Sequence, residues 1–230
     1  MDKDTGFEIK YPTQNKLTKD HQEYITNYIS DFEKTLYSYD YDSRRVGYQE
    51  YIDVNSFVDY LILSEVTMNY DNGNRSTYFY KDNKGKIKLS IWDMNNTFDN
   101  FFRKTETDIF IMKDKLWFNM LLKDKKFTNK VIRRYHQLRK GVLSDEYLNN
   151  YIDETVNYLG PAIERNYIRW GNSFTEEKNL YIEDERIIGS YSEAIKQYRD
   201  TMNERLEWLD KNIESIKQFS HESHVKSYNP

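Results

Sequence analysis

The residue types best suited to chemistry crowd between positions 65 and 100. Glu65, Asn69, Asp71, Asn72 and Asn74 come first, and Asp93, Asn95, Asn96 and Asp99 follow. Carboxylate and amide oxygens are hard donors, the kind that Mg²⁺ or Mn²⁺ prefers. A cation held that way commonly carries phosphate, and a neighbouring carboxylate can orient or deprotonate a hydroxyl. Between the two groups the apolar period is two: Thr77–Tyr80 and Lys86–Trp92 flank Lys81-Asp82-Asn83-Lys84-Gly85. That pattern predicts a β-hairpin with Gly85 in its turn. A hairpin returns its end to its beginning, and the 22 residues from Asp71 to Asp93 fit two strands and a turn. The two carboxylates are therefore expected within side-chain reach of one pocket. A purely structural reading of the same residues stands beside this one. Asp71-Asn72-Gly73 is a turn sequence, and Asp93 can simply cap the segment that begins at Met94.

Other candidates are weaker. His21, His136, His221 and His224 are scattered; the last two have near-metal spacing but lie in a polar tail without a carboxylate framework. Asn74-Arg75-Ser76 and Asn95-Asn96-Thr97 match the glycosylation pattern, read here as coincidence because no secretory signal precedes them. Arg133-Arg134, Arg165 and Arg169 read as solvated helix faces. The chain contains no G-x-G-x-x-G or G-x-x-x-x-G-K-[ST] loop, so any nucleotide site needs a different phosphate grip.

The elements that must position this region are mostly helical. Alternation over Gly6–Pro12 predicts a short strand ended by Pro12. Thr18 opens an amphipathic helix over about 18–38, with Tyr24, Ile25, Tyr28, Ile29, Phe32 and Leu36 at spacings of three and four. Asp53 caps a helix over about 54–68 that is apolar on nearly all sides and therefore central. Beyond the hairpin, short helices are expected over Lys115–Leu122 and Asn129–Leu138, the second with Phe127 packed beneath it. Ser144 caps a long helix towards Trp170, interrupted at Gly160-Pro161, and a last helix covers about 190–216. Residues 217–230 read as a frayed polar tail, and the absence of repeats or linkers favours a single domain over 1–230.

Composition bounds the function classes. The 230 residues include 21 Tyr, 12 Phe and 4 Trp, far too aromatic for a disordered chain. The absence of Cys removes disulfides and thiolate chemistry. The 34 basic and 38 acidic residues leave a net charge of −4, which gives no support for nucleic-acid binding. No apolar run approaches the roughly 18 residues of a membrane span.

The chain resembles the CotH-like atypical kinases, named after a bacterial spore coat protein. The resemblance is carried by Tyr51-Ile52-Asp53-Val54-Asn55-Ser56-Phe57-Val58-Asp59-Tyr60, then Glu65 and Asn69-Tyr70-Asp71. It runs on through Ser76-Thr77-Tyr78-Phe79-Tyr80-Lys81-Asp82, Lys84-Gly85-Lys86-Ile87 and Ile91-Trp92-Asp93-Met94-Asn95. Trp117-Phe118, Phe127, Arg139, Glu164-Arg165-Asn166, Arg169-Trp170 and Arg205-Leu206-Glu207-Trp208-Leu209 extend it over most of the chain. The resemblance implies an α+β, mainly α fold: a helical kinase-like C-lobe with a central β-hairpin.

It also implies ATP-dependent phosphoryl transfer to Ser residues of coat or surface proteins, with Mg²⁺ or Mn²⁺, and an extracellular or spore-coat location in a bacterium. By position in the family pattern, Asp71 matches the catalytic base and Asp93 the metal-binding Asp, with Asn95 as a second metal ligand. Protein kinases hold a second metal with an Asn five residues after the base. That offset reaches Ser76 here, with Asn72 and Asn74 nearby, so Asn74 and Ser76 are cofactor-binding candidates. Two departures stand out. The usual small-residue and Pro lead-in to Trp-Asp reads Leu89-Ser90-Ile91, and the next segment, Asn96-Thr97-Phe98-Asp99, lacks the usual Gly. The chain is expected to represent the C-terminal portion of the family pattern, without the nucleotide-gripping Lys and its strands, and as an isolated portion to bind nucleotide poorly or not at all, with loss of activity as one expected outcome. Two rival readings are a non-enzymatic coat scaffold or carbohydrate-associated module using Tyr and Trp, and a metal-dependent hydrolase or nucleotidyl transferase using the same carboxylates.

Overall fold

The computed structural model describes residues 6–100, 104–171 and 188–229. In chain order it runs α1 (Lys19–Leu36), α2 (Val54–Thr67), β1 (Tyr78–Tyr80), β2 (Lys88–Ser90), α3 (Phe118–Leu121) and α4 (Lys125–Arg139). Then follow α5 (Asp145–Leu159), α6 (Pro161–Trp170) and α7 (Tyr191–Asn212), with short 3₁₀ turns at Tyr48–Glu50, Met94–Asn96, Ile213–Phe219 and Lys226–Tyr228. The fold is α+β and mainly α, as its periodicity predicts.

Helix starts follow local chemistry. The Thr18 hydroxyl accepts the His21 N–H at 3.2 Å, and the His21 ring accepts the Thr18 N–H at 3.5 Å, a reciprocal cap with His where Glu or Gln is usual. The Asp53 carboxylate accepts the Ser56 N–H at 3.1 Å to begin α2. Ser144 caps α5, Gly160 ends it at φ 44°, and Pro161 opens α6.

α2 is the axis of the molecule. Phe57, Val58, Leu61, Ile62 and Val66 are all buried, and the helix packs against α4, β2 and α7. A helix with only Asn55 and Asp59 exposed has little solvated face to turn outward, so most of it must be surrounded. The hairpin is fastened to its first turn. The Ile87 N–H donates to the Tyr51 carbonyl at 2.9 Å, and the Asp53 N–H donates to the Ile87 carbonyl at 2.8 Å. The Ser56 hydroxyl accepts the Leu89 N–H at 3.0 Å and donates to the Leu89 carbonyl at 3.3 Å. β1 and β2 pair antiparallel with Tyr78 opposite Ser90 and Tyr80 opposite Lys88.

Aromatic packing fills the space between α1, α2 and the hairpin. Trp117 is buried against Phe7, Phe32, Phe57 and Phe79, and its indole N–H donates to Glu33 at 2.9 Å. Rings of this size, with the polar edge satisfied, are worth several kcal/mol each; truncating a buried Trp costs about 3–5 kcal/mol.

Four expectations change. Gly6–Pro12 forms no strand in the described residues; the alternation instead lets Phe7 reach Phe79 and Trp117 while its neighbours face water. α3 is only one turn long, because Leu116 before it takes φ 36° and cannot continue a helix backward. α4 begins at Lys125 and contains Phe127, because the Asp124 carboxylate caps it by accepting the Lys126 N–H at 2.7 Å. The end of the chain, read as frayed, is fastened: the His221 N–H donates to the Lys123 carbonyl at 3.1 Å, and Lys126 lies over the Tyr228 ring.

Candidate active site

The site grows out of the C-terminal end of α2. Met68 ends that helix in the left-handed region (φ 53°) with its N–H on the Ser64 carbonyl. The chain then turns through Asn69–Asn74 rather than running on. The turn is tied down from inside: Asn72 donates its amide to the Ser64 hydroxyl at 2.8 Å, and the Asp71 carbonyl accepts the N–H groups of Asn74 and Arg75.

Strand register then brings the two halves together. With Tyr78 opposite Ser90, the residues before β1 face those after β2. The Ser76 hydroxyl accordingly donates to Asp93 Oδ2 at 3.3 Å. Asn69, fully buried, joins both sides: its Oδ1 accepts the Asp71 N–H at 3.1 Å, and its Nδ2 donates to the Asp93 carbonyl at 3.3 Å. Asn96 donates to Asp71 Oδ2 at 2.7 Å. The Phe98 N–H donates to the Thr67 carbonyl at 2.9 Å, which holds the segment after the hairpin against the end of α2.

Asp71, Ser76, Asp93 and, through Asn96, Asn95 thus belong to one hydrogen-bonded group. Asp71 is half-buried, and Asp93 and Asn95 are exposed. Asp71 Oδ1, Asp93 Oδ1 and Asn95 Oδ1 take no hydrogen bond among the described residues. Asp93 and Ser76 both hold left-handed backbone (φ 54° and 45°). That conformation is unfavourable for a residue with a Cβ, by about 1–2 kcal/mol, though Asp tolerates it better than most. Asn74 points elsewhere. With its amide oriented so that both ends are satisfied, its oxygen accepts from Lys115 Nζ at 2.7 Å.

Lys115 was not visible as a site residue in the sequence. Its ammonium also donates to the Tyr70 carbonyl at 2.9 Å. Burial pushes the group below the usual Lys range, while the nearby carboxylates of Asp114 and Asp71 pull it back up. Its one sequence trace is Gly73, at φ 82°, where a Cβ would come within 2.6 Å of Lys115 Cβ. Asn69 and Asn96 lie inside the oxygen-rich cluster, but their bridging roles depend on the register and have no local signature.

Glu65 and Asp99 belong to the same stretch of sequence but to other networks. The Glu65 carboxylate accepts the N–H groups of Ile111 and Met112 at 3.1 and 2.9 Å and the Arg205 guanidinium at 2.6 Å. Arg205 is fully buried, donates also to the carbonyls of Glu65, Thr107 and Ile109, and lies against Trp208. Burial pushes the Glu65 carboxyl up and the Arg205 guanidinium down, and their contact opposes both. Asp99 accepts the Thr105 N–H at 2.7 Å and the Gln197 amide at 3.3 Å.

The donor set suits a hard cation. It offers carboxylate, amide and hydroxyl oxygens, with free lone pairs on Asp93 and Asn95. Among the described residues no group of three or more Asp, Glu or His side chains is arranged to enclose a metal by itself. Mg²⁺ is typically held in that partial way, by one or two carboxylates, with water and substrate phosphates completing the shell. Among the described residues no helix is long and apolar enough to cross a membrane. A family model described as CotH kinase protein matches residues 1–209, a span that includes every residue of this group. No curated protein matches the chain.

Proposed function

The chain belongs to the CotH kinase protein family, and from that kinase-like premise we propose that it transfers the γ-phosphoryl group of ATP to Ser residues of coat or surface proteins outside the bacterial cell. The observation that carries this reading is the hydrogen-bonded group joining Asp71 to Asp93 through Asn69. Asn96 holds one oxygen of Asp71, which leaves Oδ1 to accept the proton of the acceptor hydroxyl. That hydroxyl oxygen forms the new bond to phosphorus, the bond from phosphorus to the bridging oxygen breaks, and ADP leaves with the electron pair. Asp93 and Asn95 would hold Mg²⁺ or Mn²⁺, and Ser76 orients Asp93 by donating to its other oxygen. The divalent ion, when bound, neutralises charge on the phosphate oxygens. Asn74 serves the site through Lys115 rather than through the cation.

The test is transfer from γ-labelled ATP to a degenerate Ser-peptide library with Mg²⁺ present, with product sites read by mass spectrometry. Transfer by the parent chain and its loss in both Asp71→Asn and Asp93→Ala is expected. Transfer that survives Asp93→Ala overturns the metal role. Release of inorganic phosphate or transfer of a nucleotidyl group, instead of phosphopeptide, favours the hydrolase or nucleotidyl-transferase reading. A scaffold role has its own support in the exposed aromatics Tyr151, Tyr158 and Trp170 on α5 and α6; such a surface can serve partner binding beside the transfer reaction.

A further inference from the structure

The acidic group described above does not account for three features around it: a half-buried ammonium, a glycine pressed against the side chain that carries it, and a leucine in left-handed backbone. Lys115 Nζ reaches Tyr70 on one side of Asp71 and Asn74 on the other, at 2.9 and 2.7 Å. One cation thereby closes the turn that carries Asp71 from both ends. The passage of the Lys115 side chain adds a second reason for Gly73 to the one its φ of 82° supplies, because a Cβ there would lie 2.6 Å from Lys115 Cβ and 3.2 Å from Met112 Cε. Leu116, the next residue, holds φ 36°, a conformation that a branched apolar side chain rarely adopts without a compensating contact. The segment that presents Lys115 is itself anchored, since the N–H groups of Ile111 and Met112 donate to Glu65 on α2. α2 therefore supports both the Asp71 turn and the lysine that clasps it.

We infer that Lys115 is a positioning residue of this site, whose ammonium holds the turn from Tyr70 to Asn74 so that the free oxygen of Asp71 faces the acceptor hydroxyl. The inference rests on the phosphoryl-transfer reading for its consequence in catalysis, and on geometry alone for the clasp. A neutral side chain of similar length loses the clasp, and a guanidinium keeps the charge and the donors.

The experiment reads amide hydrogen exchange over Asp71–Ser76 and over α2, together with steady-state transfer kinetics, in the parent chain, Lys115→Met, Lys115→Arg and Asn74→Ala. Loss of charge-assisted hydrogen bonds predicts about tenfold faster exchange over Asp71–Ser76 in Lys115→Met, with α2 unchanged. kcat is expected to fall about tenfold or more with the KM for ATP within about threefold, and Lys115→Arg to recover most of the loss. Asn74→Ala removes one of the two acceptors at an exposed position, and about threefold faster exchange confined to the same residues is expected. That variant decides the question if Lys115→Met also loosens α2. Unchanged exchange in the turn overturns the clasp. Faster exchange with unchanged kcat overturns its part in the reaction. A parent chain that transfers nothing, while the turn still responds to the variants, defeats the phosphoryl-transfer reading and leaves the clasp standing.

Discussion

α2 and the α5–α6 pair are helices of one small molecule built to opposite rules. α2 is mostly enclosed: its apolar side chains meet β2, α4 and α7, its buried polar side chains Ser64, Glu65 and Thr67 are all engaged inside, and Asn55 and Asp59 reach solvent. α5 and α6 bury no residue completely. Tyr158 is 90% exposed and Ile168 is 77% exposed. α5 leans on the core through the partly buried Leu148 and Ile152 and is tied by polar contacts, including Arg139 to Asp145 at 2.9 Å and Arg199 to Asn149 and Asp153. The enclosed helix carries the Asp71 turn at its end, where, under the proposed phosphoryl transfer, a small displacement of a carboxylate costs the most. The outer pair presents rings and hydroxyls that packing has not claimed. Rigid support and adaptable surface are thus assigned to different helices.

The contrast can be broken by substitution. The largest effect is expected at the end of α2: Asp71→Asn should reduce phosphoryl transfer by about 10²–10⁴-fold, the usual contribution of a general base, with the thermal midpoint little moved. Next comes the support of α2 itself. Arg205→Met leaves the Glu65 carboxylate buried without its cation and should cost about 3–5 kcal/mol in chemical denaturation. Burial already raises Glu65 above its ordinary 4.5, so its contribution favours the fold below that value and is lost as pH climbs through the raised one. Removing Arg205 removes a group that lowers this pKa, so the deficit of the variant should widen from pH 5 to pH 8. A deficit that shrinks with rising pH would mean that Glu65 is not the buried partner that matters.

Gly73→Ala should cost about 1–2 kcal/mol for the left-handed backbone alone, and it should quicken exchange in the Asp71 turn by displacing Lys115. Tyr158→Ala on α5 should change stability by no more than about 0.5 kcal/mol. A loss at Tyr158 comparable to that at Arg205 would erase the distinction between enclosed and outer helices.

What the sequence discloses follows from how local each cause is. The caps at Thr18, Asp53 and Ser144 are legible because the capping side chain and its N–H are three residues apart. The hairpin is legible from its period and Gly85, and it brings Asp71 and Asp93 into one group, since strand pairing is the short-range device that connects them. The partners of Glu65 are not legible. Its position in the oxygen-rich stretch suggests the site, yet it pairs with a residue 140 positions away. Lys115 is equally hidden among many lysines, and only the steric need for Gly73 betrays it. Alternation over Gly6–Pro12 describes a two-faced extended segment, and here the segment meets the hairpin through the ring contact of Phe7 with Phe79 rather than through strand pairing.

The long reach of Arg205 has a consequence for how the protein is made. During synthesis, α2 and the hairpin leave the ribosome well before α7 does, and in that interval Glu65 has no counterion and the 104–112 segment has carbonyls without donors. Contacts so distant along the chain form late and slowly. Helix α2 therefore emerges early but reaches its final surroundings only when α7 has been translated, and a nascent chain stalled before residue 205 would expose to chaperones and proteases the apolar helix on which the Asp71 turn depends.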